Sequence, residues 1–177
     1  MSWVTADPDD VGMTDADDLP LLFMDVDGPL LPFGAASWDG DGMDAYLSTL
    51  DPAVGDRLAA LPCRLVWATA WEEDANAEIA PRIGLPQLPV VMWPASSDER
   101  ARADDWFGLH WKTRTLVEWA DGRPFAWVDD ELTDADRRWV SEHHSGRALL
   151  HHVASWVGLG DGDFAVLDEW LRAAMTV

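Results

Sequence analysis

Residues 21–28 read Leu-Leu-Phe-Met-Asp-Val-Asp-Gly, and this stretch decides the fold that the sequence predicts. Its first half is an unbroken apolar run, and two aspartates, Asp25 and Asp27, follow directly. Continuous hydrophobicity is typical of parallel strands whose two faces are covered by helices, whereas half-exposed strands alternate. The stretch therefore predicts a buried parallel strand that ends in an acidic loop.

Four further apolar runs predict the other strands of this sheet, and helical patterns lie between them. The runs cover residues 65–68, 89–93, 125–128 and 148–153. The helical patterns cover residues 51–61, 72–82, 112–120 and 162–174. Strands that alternate with helices are typical of parallel sheets in layered domains. The sequence therefore predicts an α/β sandwich with a central, mainly parallel five-stranded sheet.

Composition and charge predict one acidic domain with few anionic partners. The chain has 177 residues, is 48% hydrophobic and carries a formal charge of −21, which suits a single folded core. Residues 1–18 are rich in aspartate and predict an acidic, mobile leader, so the domain is expected to span residues 19–177. Nucleic acid and anionic membranes require clustered Lys and Arg, so neither is expected to bind.

Targeting signals and cysteine content predict a cytoplasmic protein. Cys63 is the only cysteine, which excludes a disulfide within the chain. The sequence has neither the basic start and apolar stretch of a secretion signal nor an apolar run long enough to cross a membrane.

Polar side chains follow the predicted strands at the points where those strands end. Thr69 follows the second run, Asp129 and Asp130 follow the fourth, and Lys112, the only lysine, opens the helix before the fourth. In open parallel sheets, ligands bind beyond the carboxyl ends of the strands. Clustered carboxylates are unfavourable unless a cation neutralises them, and a hard divalent cation with oxygen ligands does so.

These residues also carry a family resemblance. Residues 22–30, Leu-Phe-Met-Asp-Val-Asp-Gly-Pro-Leu, resemble the first motif of the haloacid-dehalogenase-like (HAD) superfamily of phosphohydrolases. Thr69, Lys112 and the Asp129-Asp130 pair resemble the second, third and fourth motifs, in the family's order. The resemblance implies a Rossmann-like, three-layer HAD fold and a phosphatase that acts on a small phosphorylated substrate.

The resemblance implies a role for each polar anchor. Asp25 would be the nucleophile that forms an aspartyl-phosphate, and Asp27 would protonate the leaving oxygen and later activate water. Thr69 would donate to a phosphoryl oxygen. Lys112 would hold the phosphate and orient Asp25.

The same resemblance implies a Mg²⁺ site. The Asp25 carboxylate, the Asp27 main-chain carbonyl and Asp129 would bind the ion, with water completing the octahedron. Asp130 would lie in its second coordination sphere or pair with Lys112.

The spacing of the motifs predicts no large cap domain. The segments between them are too short for one, so a small flap over residues 31–46 is expected instead. Residues 67–72, Trp-Ala-Thr-Ala-Trp-Glu, also resemble a group of small actinobacterial members, which gives no substrate. Trp71 and Trp38 are expected on loops near the site.

Two other interpretations remain beside the phosphatase. One is a catalytically silent HAD-like module that binds a phosphorylated ligand or a protein partner, although such a module has no need of Asp27. The other is a phosphorylatable receiver domain, but that domain places its lysine on the last strand, whereas Lys112 precedes the Asp129-Asp130 pair.

Overall fold

The computed structural model describes residues 19–33, 42–95 and 97–176, and the side chains of all of these except 98–100 and 105. The predicted leader, residues 1–18, lies outside the described residues, and so do residues 34–41 of the predicted flap.

Four parallel strands form the central sheet, in the order β2-β1-β3-β4. They are β1 (Leu21–Met24), β2 (Arg64–Trp67), β3 (Phe125–Asp129) and β4 (Ala148–His152). The first strand lies in the interior of the sheet, where Met24 is paired with Trp67 on one side and with Val128 on the other. The loop after β1 therefore starts at the middle of the carboxyl edge.

The prediction of five strands was wrong by one. Residues 89–93 are extended beside β2, but among the described residues they form only an isolated parallel bridge between Val90 and Trp67. The Trp67 amide donates to the Pro89 carbonyl, and the Val91 amide donates to the Trp67 carbonyl. Pro89 has no amide hydrogen, which ends regular pairing on one side. On the other side the Thr69 carbonyl accepts from the Trp93 side chain and the Glu72 amide instead of continuing the ladder.

Helices cover both faces of the sheet and make a three-layer sandwich. They are α1 (Met43–Leu47), α2 (Ala53–Ala59), α3 (Asp98–Phe107), α4 (Thr113–Ala120), α5 (Asp134–His143) and α6 (Asp161–Ala174). Leu22 and Met24 of β1 belong to one core cluster, with residues of α2 and α6. Leu21 and Phe23 belong to a second cluster, with residues of α4 and α5. Both faces of β1 are buried, which explains its unbroken hydrophobicity.

All four predicted helical segments contain helical structure, but one of them is not an α-helix. The 51–61, 112–120 and 162–174 patterns correspond to α2, α4 and α6. The 72–82 pattern instead forms one turn of π-helix, Ala75–Ile79, followed by a 3₁₀-helix, Ala80–Ile83.

Helix α5 was not predicted, and it joins β3 to β4. Two parallel neighbours need a crossover connection, and this helix provides it. It begins with a capping box, in which the Thr133 side chain accepts from the Asp136 amide and the Asp136 side chain accepts from the Thr133 amide. Thr133 and Asp136 form a Thr-x-x-Asp pattern, so the start of the helix had a signal in the sequence.

No helix within the described ranges has the length and apolar character needed to span a membrane.

Candidate active site

The carboxyl edge of the sheet brings together the polar residues that the sequence singled out. Asp25 immediately follows β1, and Asp129 is the last residue of β3. Thr69 lies two residues after the last residue of β2. Lys112 immediately precedes α4, the helix that leads into β3. The parallel order β2-β1-β3 places Asp25 between the other two strand ends.

Lys112 joins two of these carboxylates through a buried pair of ion pairs. Its Nζ lies 2.7 Å from Asp25 Oδ2 and 2.8 Å from Asp129 Oδ2. The exposed fraction is 2% for Lys112, 8% for Asp25 and 0% for Asp129. One ammonium thus serves two carboxylates in a site with little water, and the arrangement carries a net negative charge that can attract a cation.

Asp129 is held by further donors at both of its oxygens. The Trp127 Nε1 donates to Oδ2 at 3.2 Å, and the Glu131 amide donates to Oδ1 at 2.9 Å. Among the described residues, Lys112 forms its ion pairs with Asp25 and Asp129, and so the expected alternative of a Lys112–Asp130 pair was wrong.

Asp130 completes an acidic group that could hold a metal ion. One carboxylate oxygen from each of Asp25, Asp129 and Asp130 lies within 4.8 Å of the others. The Asp130 carboxylate packs directly against Gly28, whose φ is +83°. Any larger residue would exclude it, because a Cβ at position 28 would lie 2.5 Å from the Asp130 Cγ. The three carboxylates are hard oxygen donors of the kind that Mg²⁺ prefers.

The charges of this site shift the pKa values of its members in opposite directions. Burial raises the pKa of Asp25 to about 7, with Asp129 adding to the rise and Lys112 opposing it. Burial also acts to raise the pKa of Asp129, but several neighbours, Lys112 first among them, together outweigh it and the net pKa is lowered. For Lys112, burial acts to lower the pKa, but Asp25 and Asp129 together raise it. The lysine therefore stays charged, and Asp25 is the carboxyl that most readily holds a proton.

We expect Asp25 to make the metal-free protein less stable as the pH rises. The folded protein keeps the Asp25 proton up to about pH 7, whereas a carboxyl at its ordinary pKa of 3.8 loses it far lower. Between these values the folded state binds more protons than the unfolded state, so the free energy of unfolding falls as the pH rises. Urea unfolding in EDTA at pH 5 and pH 8 measures this, and Asp25→Asn should lose less stability than the wild type between the two. A constant difference between the two proteins would contradict the prediction.

Asp27 lies two residues after Asp25, and its carboxylate has partners of its own. Tyr46 Oη donates to Asp27 Oδ1 at 2.6 Å, and Trp71 Nε1 donates to Asp27 Oδ2 at 2.9 Å. The expectation that Trp71 lies near the site is confirmed, whereas Trp38 lies outside the described residues. Tyr46 was missed; its one signal was that it is the only tyrosine and ends the predicted flap.

Thr69 is buried at the same edge and is held by a tight turn. Its Oγ1 accepts from the Trp71 amide at 3.3 Å. Its carbonyl accepts from the Trp93 Nε1 at 2.9 Å and from the Glu72 amide at 3.2 Å. Glu72 itself adopts a left-handed conformation, with φ at 47°. The turn after β2 is thereby joined to the segment at residues 89–93.

A buried aspartate that the sequence analysis missed holds the loop before Lys112. Asp136 Oδ1 accepts from the His110 amide at 2.8 Å and from the Thr113 hydroxyl at 2.6 Å. The other oxygen, Oδ2, caps α5 through Thr133. One carboxylate thus ties the start of α5 to the residues on both sides of Lys112.

Aromatic rings line the site between Thr69 and Lys112. The rings of Trp93 and Trp111 meet edge to face, with centroids 4.6 Å apart. The Lys112 Nζ lies 5.4 Å from the centroid of the Trp111 ring. Trp111 is 47% exposed, so an apolar ring surface reaches solvent close to the buried lysine.

Comparison with known proteins identifies a matching family. Residues 21–169 match the family described as "HAD domain in Swiss Army Knife RNA repair proteins", which covers most of the chain and all the site residues above. No curated protein and no solved structure matches the chain.

Proposed function

Because this chain belongs to the family of HAD domains in Swiss Army Knife RNA repair proteins, we propose that it is a Mg²⁺-dependent phosphatase acting through an aspartyl-phosphate. The observation that carries the proposal is the ion pair between the buried Asp25 and the only lysine of the chain, with Asp129 and Asp130 beside it. A buried carboxylate next to one fixed cation suits a nucleophile that attacks an anionic group. The roles of the individual residues below are part of this proposal.

In the first half of the reaction, a carboxylate oxygen of Asp25 attacks phosphorus. A bond forms between that oxygen and phosphorus, and the bond from phosphorus to the leaving oxygen breaks. Asp27 gives its proton to the leaving oxygen, so the product departs as an alcohol. The Val26 amide, 2.8 Å from Asp25 Oδ1, and Lys112, at Oδ2, fix the orientation of the nucleophile.

In the second half, water attacks the phosphorus of the aspartyl-phosphate. The Asp27 carboxylate takes a proton from that water, and the bond between phosphorus and Asp25 breaks. Inorganic phosphate leaves, Asp25 returns as a carboxylate, and Asp27 is protonated again for the next cycle. Lys112 and the Thr69 hydroxyl are the groups proposed to hold the phosphoryl oxygens during both halves.

The carboxylates of Asp25, Asp129 and Asp130 would hold Mg²⁺, together with the predicted main-chain carbonyl of Asp27. Bound there, the ion supplies positive charge that offsets the charge developing on the phosphoryl oxygens. Of the Asp129-Asp130 pair, Asp130 has the more accessible carboxylate, since both oxygens of Asp129 accept hydrogen bonds.

We propose a small phosphate monoester as the substrate. The family's description names RNA repair, and a phosphorylated RNA end is also a phosphate monoester, so the same chemistry would serve both. The charge of −21 argues against holding a polyanion, because nucleic-acid binding draws much of its affinity from Lys and Arg side chains that neutralise phosphates. A protein partner could change that balance, and so RNA belongs in the test.

The test is phosphate release with Mg²⁺ and after EDTA. The substrates are p-nitrophenyl phosphate, a panel of phosphorylated metabolites and a short RNA with a terminal phosphate. We expect release from at least one small ester, a loss of roughly 10²-fold or more in EDTA because the ion contributes several kcal/mol, and recovery on adding Mg²⁺.

Three outcomes would contradict parts of this proposal. Activity that survives EDTA contradicts the metal role, and faster release from RNA than from every small ester contradicts the substrate. If the wild type and Asp25→Asn are equally inactive on all substrates, the silent binding module is the better account, and retention of a phosphorylated ligand would support it.

A further inference from the structure

The side chain of Asp27 is held at both of its oxygens by neutral donors from two distant parts of the chain. Tyr46 Oη lies 2.6 Å from Oδ1, and Trp71 Nε1 lies 2.9 Å from Oδ2. Tyr46 belongs to α1 and is 19 positions from Asp27, while Trp71 lies after β2 and is 44 positions away. Neither contact is needed to build the sheet.

We propose that Tyr46 and Trp71 are positioning residues that together fix the carboxyl of Asp27 for proton transfer; the inference rests on the proposed phosphatase function. A general acid must come within about 2.6–3.2 Å of the atom it protonates, and a displacement of about 1 Å can cost on the order of 10²-fold in rate. The side chain of an aspartate on a loop can adopt several rotamers, and hydrogen bonds from two donors restrict it to those that keep both bonds.

The chemistry of the two donors suits a group that must both give and accept a proton. Each carboxylate oxygen has two lone-pair sites. Within the described part of the chain each oxygen of Asp27 accepts from one donor, which leaves a site for the transferred proton. A phenol and an indole add no charge. Lys or Arg in the same place would hold the carboxylate as a permanent ion pair and would also bind the substrate phosphate.

Both donors are themselves anchored, which is what a positioning residue requires. The backbone amide of Trp71 donates to Thr69 Oγ1, so one residue links Asp27 to the proposed phosphate contact. The Tyr46 carbonyl accepts from the Thr49 hydroxyl at 2.8 Å. The next residue, Leu47, is buried in the core. The two donors thus connect the turn after β2 and α1 to one carboxyl group.

The test separates proton transfer from binding by varying the leaving group. We compare kcat/KM of wild type, Tyr46→Phe and Trp71→Phe on 2,4-dinitrophenyl, p-nitrophenyl and phenyl phosphate. The dinitrophenolate leaves without help, whereas the phenolate depends most on a well-placed acid. We expect each variant to lose about 10- to 100-fold on phenyl phosphate and less than about threefold on dinitrophenyl phosphate. The ratio kcat/KM is used because it reports the step in which the leaving group departs.

Two controls keep this outcome specific. Trp170→Phe removes an indole packed against Arg147 at the opposite edge of the sheet and should leave all three rates unchanged. In an Asp27→Asn background, Tyr46→Phe should leave kcat/KM unchanged on all three esters, because the carboxyl that Tyr46 positions is absent.

Equal losses on all three esters, or an undiminished effect of Tyr46→Phe in the Asp27→Asn background, would overturn the inference and leave the proposed function standing. A wild type that is inactive on these three esters and on every other substrate of the panel would overturn both.

Discussion

Asp25→Asn is expected to abolish turnover, with a loss on the order of 10⁴-fold or more in kcat. The amide cannot form the bond to phosphorus that begins the proposed cycle. Asp129 is also buried against Lys112, but both of its oxygens already accept hydrogen bonds from protein donors. The change also removes a buried negative charge, so the variant should remain folded at pH 8. Rates are measured on the best ester of the panel, and folding is followed by thermal unfolding.

The covalent intermediate gives this prediction a second readout. Wild type quenched in acid during turnover should carry one added phosphoryl group by mass spectrometry, and Asp25→Asn should carry none. Asp121→Asn is the matched control: it makes the same change of charge at an exposed left-handed position after α4, which Asn tolerates. An active Asp25→Asn variant, or a phosphoryl group on a different residue, would refute the proposed mechanism.

Lys112→Ala is expected to lower both activity and stability. Its loss removes the one ammonium at Asp25 and Asp129, and loss of such a group typically costs on the order of 10²- to 10³-fold in kcat. The two carboxylates would then face each other in a buried site, and an unpaired buried charge costs about 3–5 kcal/mol. Uptake of a proton by Asp25 would reduce that cost at low pH, so the loss of stability should be larger at pH 8 than at pH 5.

Arg172→Ala is the matched control for the lysine variant. It makes the same change of net charge, but Arg172 pairs with Asp168 on the exposed face of α6, where water screens the ion pair and its contribution to stability is small. Activity and unfolding of this variant should stay close to wild type. A Lys112→Ala variant that keeps near-full activity at saturating Mg²⁺ would show that the metal alone neutralises the phosphoryl group.

The strands were predictable because a strand that is buried on both faces needs apolar residues at every position, which gives an unbroken hydrophobic run. Each of the four observed strands lies within one residue of an apolar run. The run at residues 89–93 is also apolar, but Pro89 and the turn that follows β2 prevent a regular ladder there. Helices α3 and α5 were not predicted because charged residues make up half or more of each and few of their residues are apolar. The need to connect two parallel strands, rather than a hydrophobic pattern, places α5.

The polar anchors of the candidate site were predictable because the carboxyl ends of parallel strands meet at one edge. Asp25, Thr69 and Asp129 each follow or end a hydrophobic run, and the only lysine precedes the helix that leads to β3. Their assembly therefore depends on the strand order and on little else. Which carboxylate Lys112 pairs with could not be read in this way, because Asp129 and Asp130 are neighbours that differ only in the direction of their side chains.

Local sequence was enough for the four strands of the sheet, the acidic loop and the family, because each depends on residues within a few positions of one another or on their order along the chain. The supports of the site arise only on folding. Tyr46 and Trp71 reach Asp27 from two separate segments, and Asp136 of α5 holds the loop around Lys112 from 24 positions further along the chain. Such contacts have no sequence periodicity, since they depend on how loops and helices pack in space rather than on spacing along the chain.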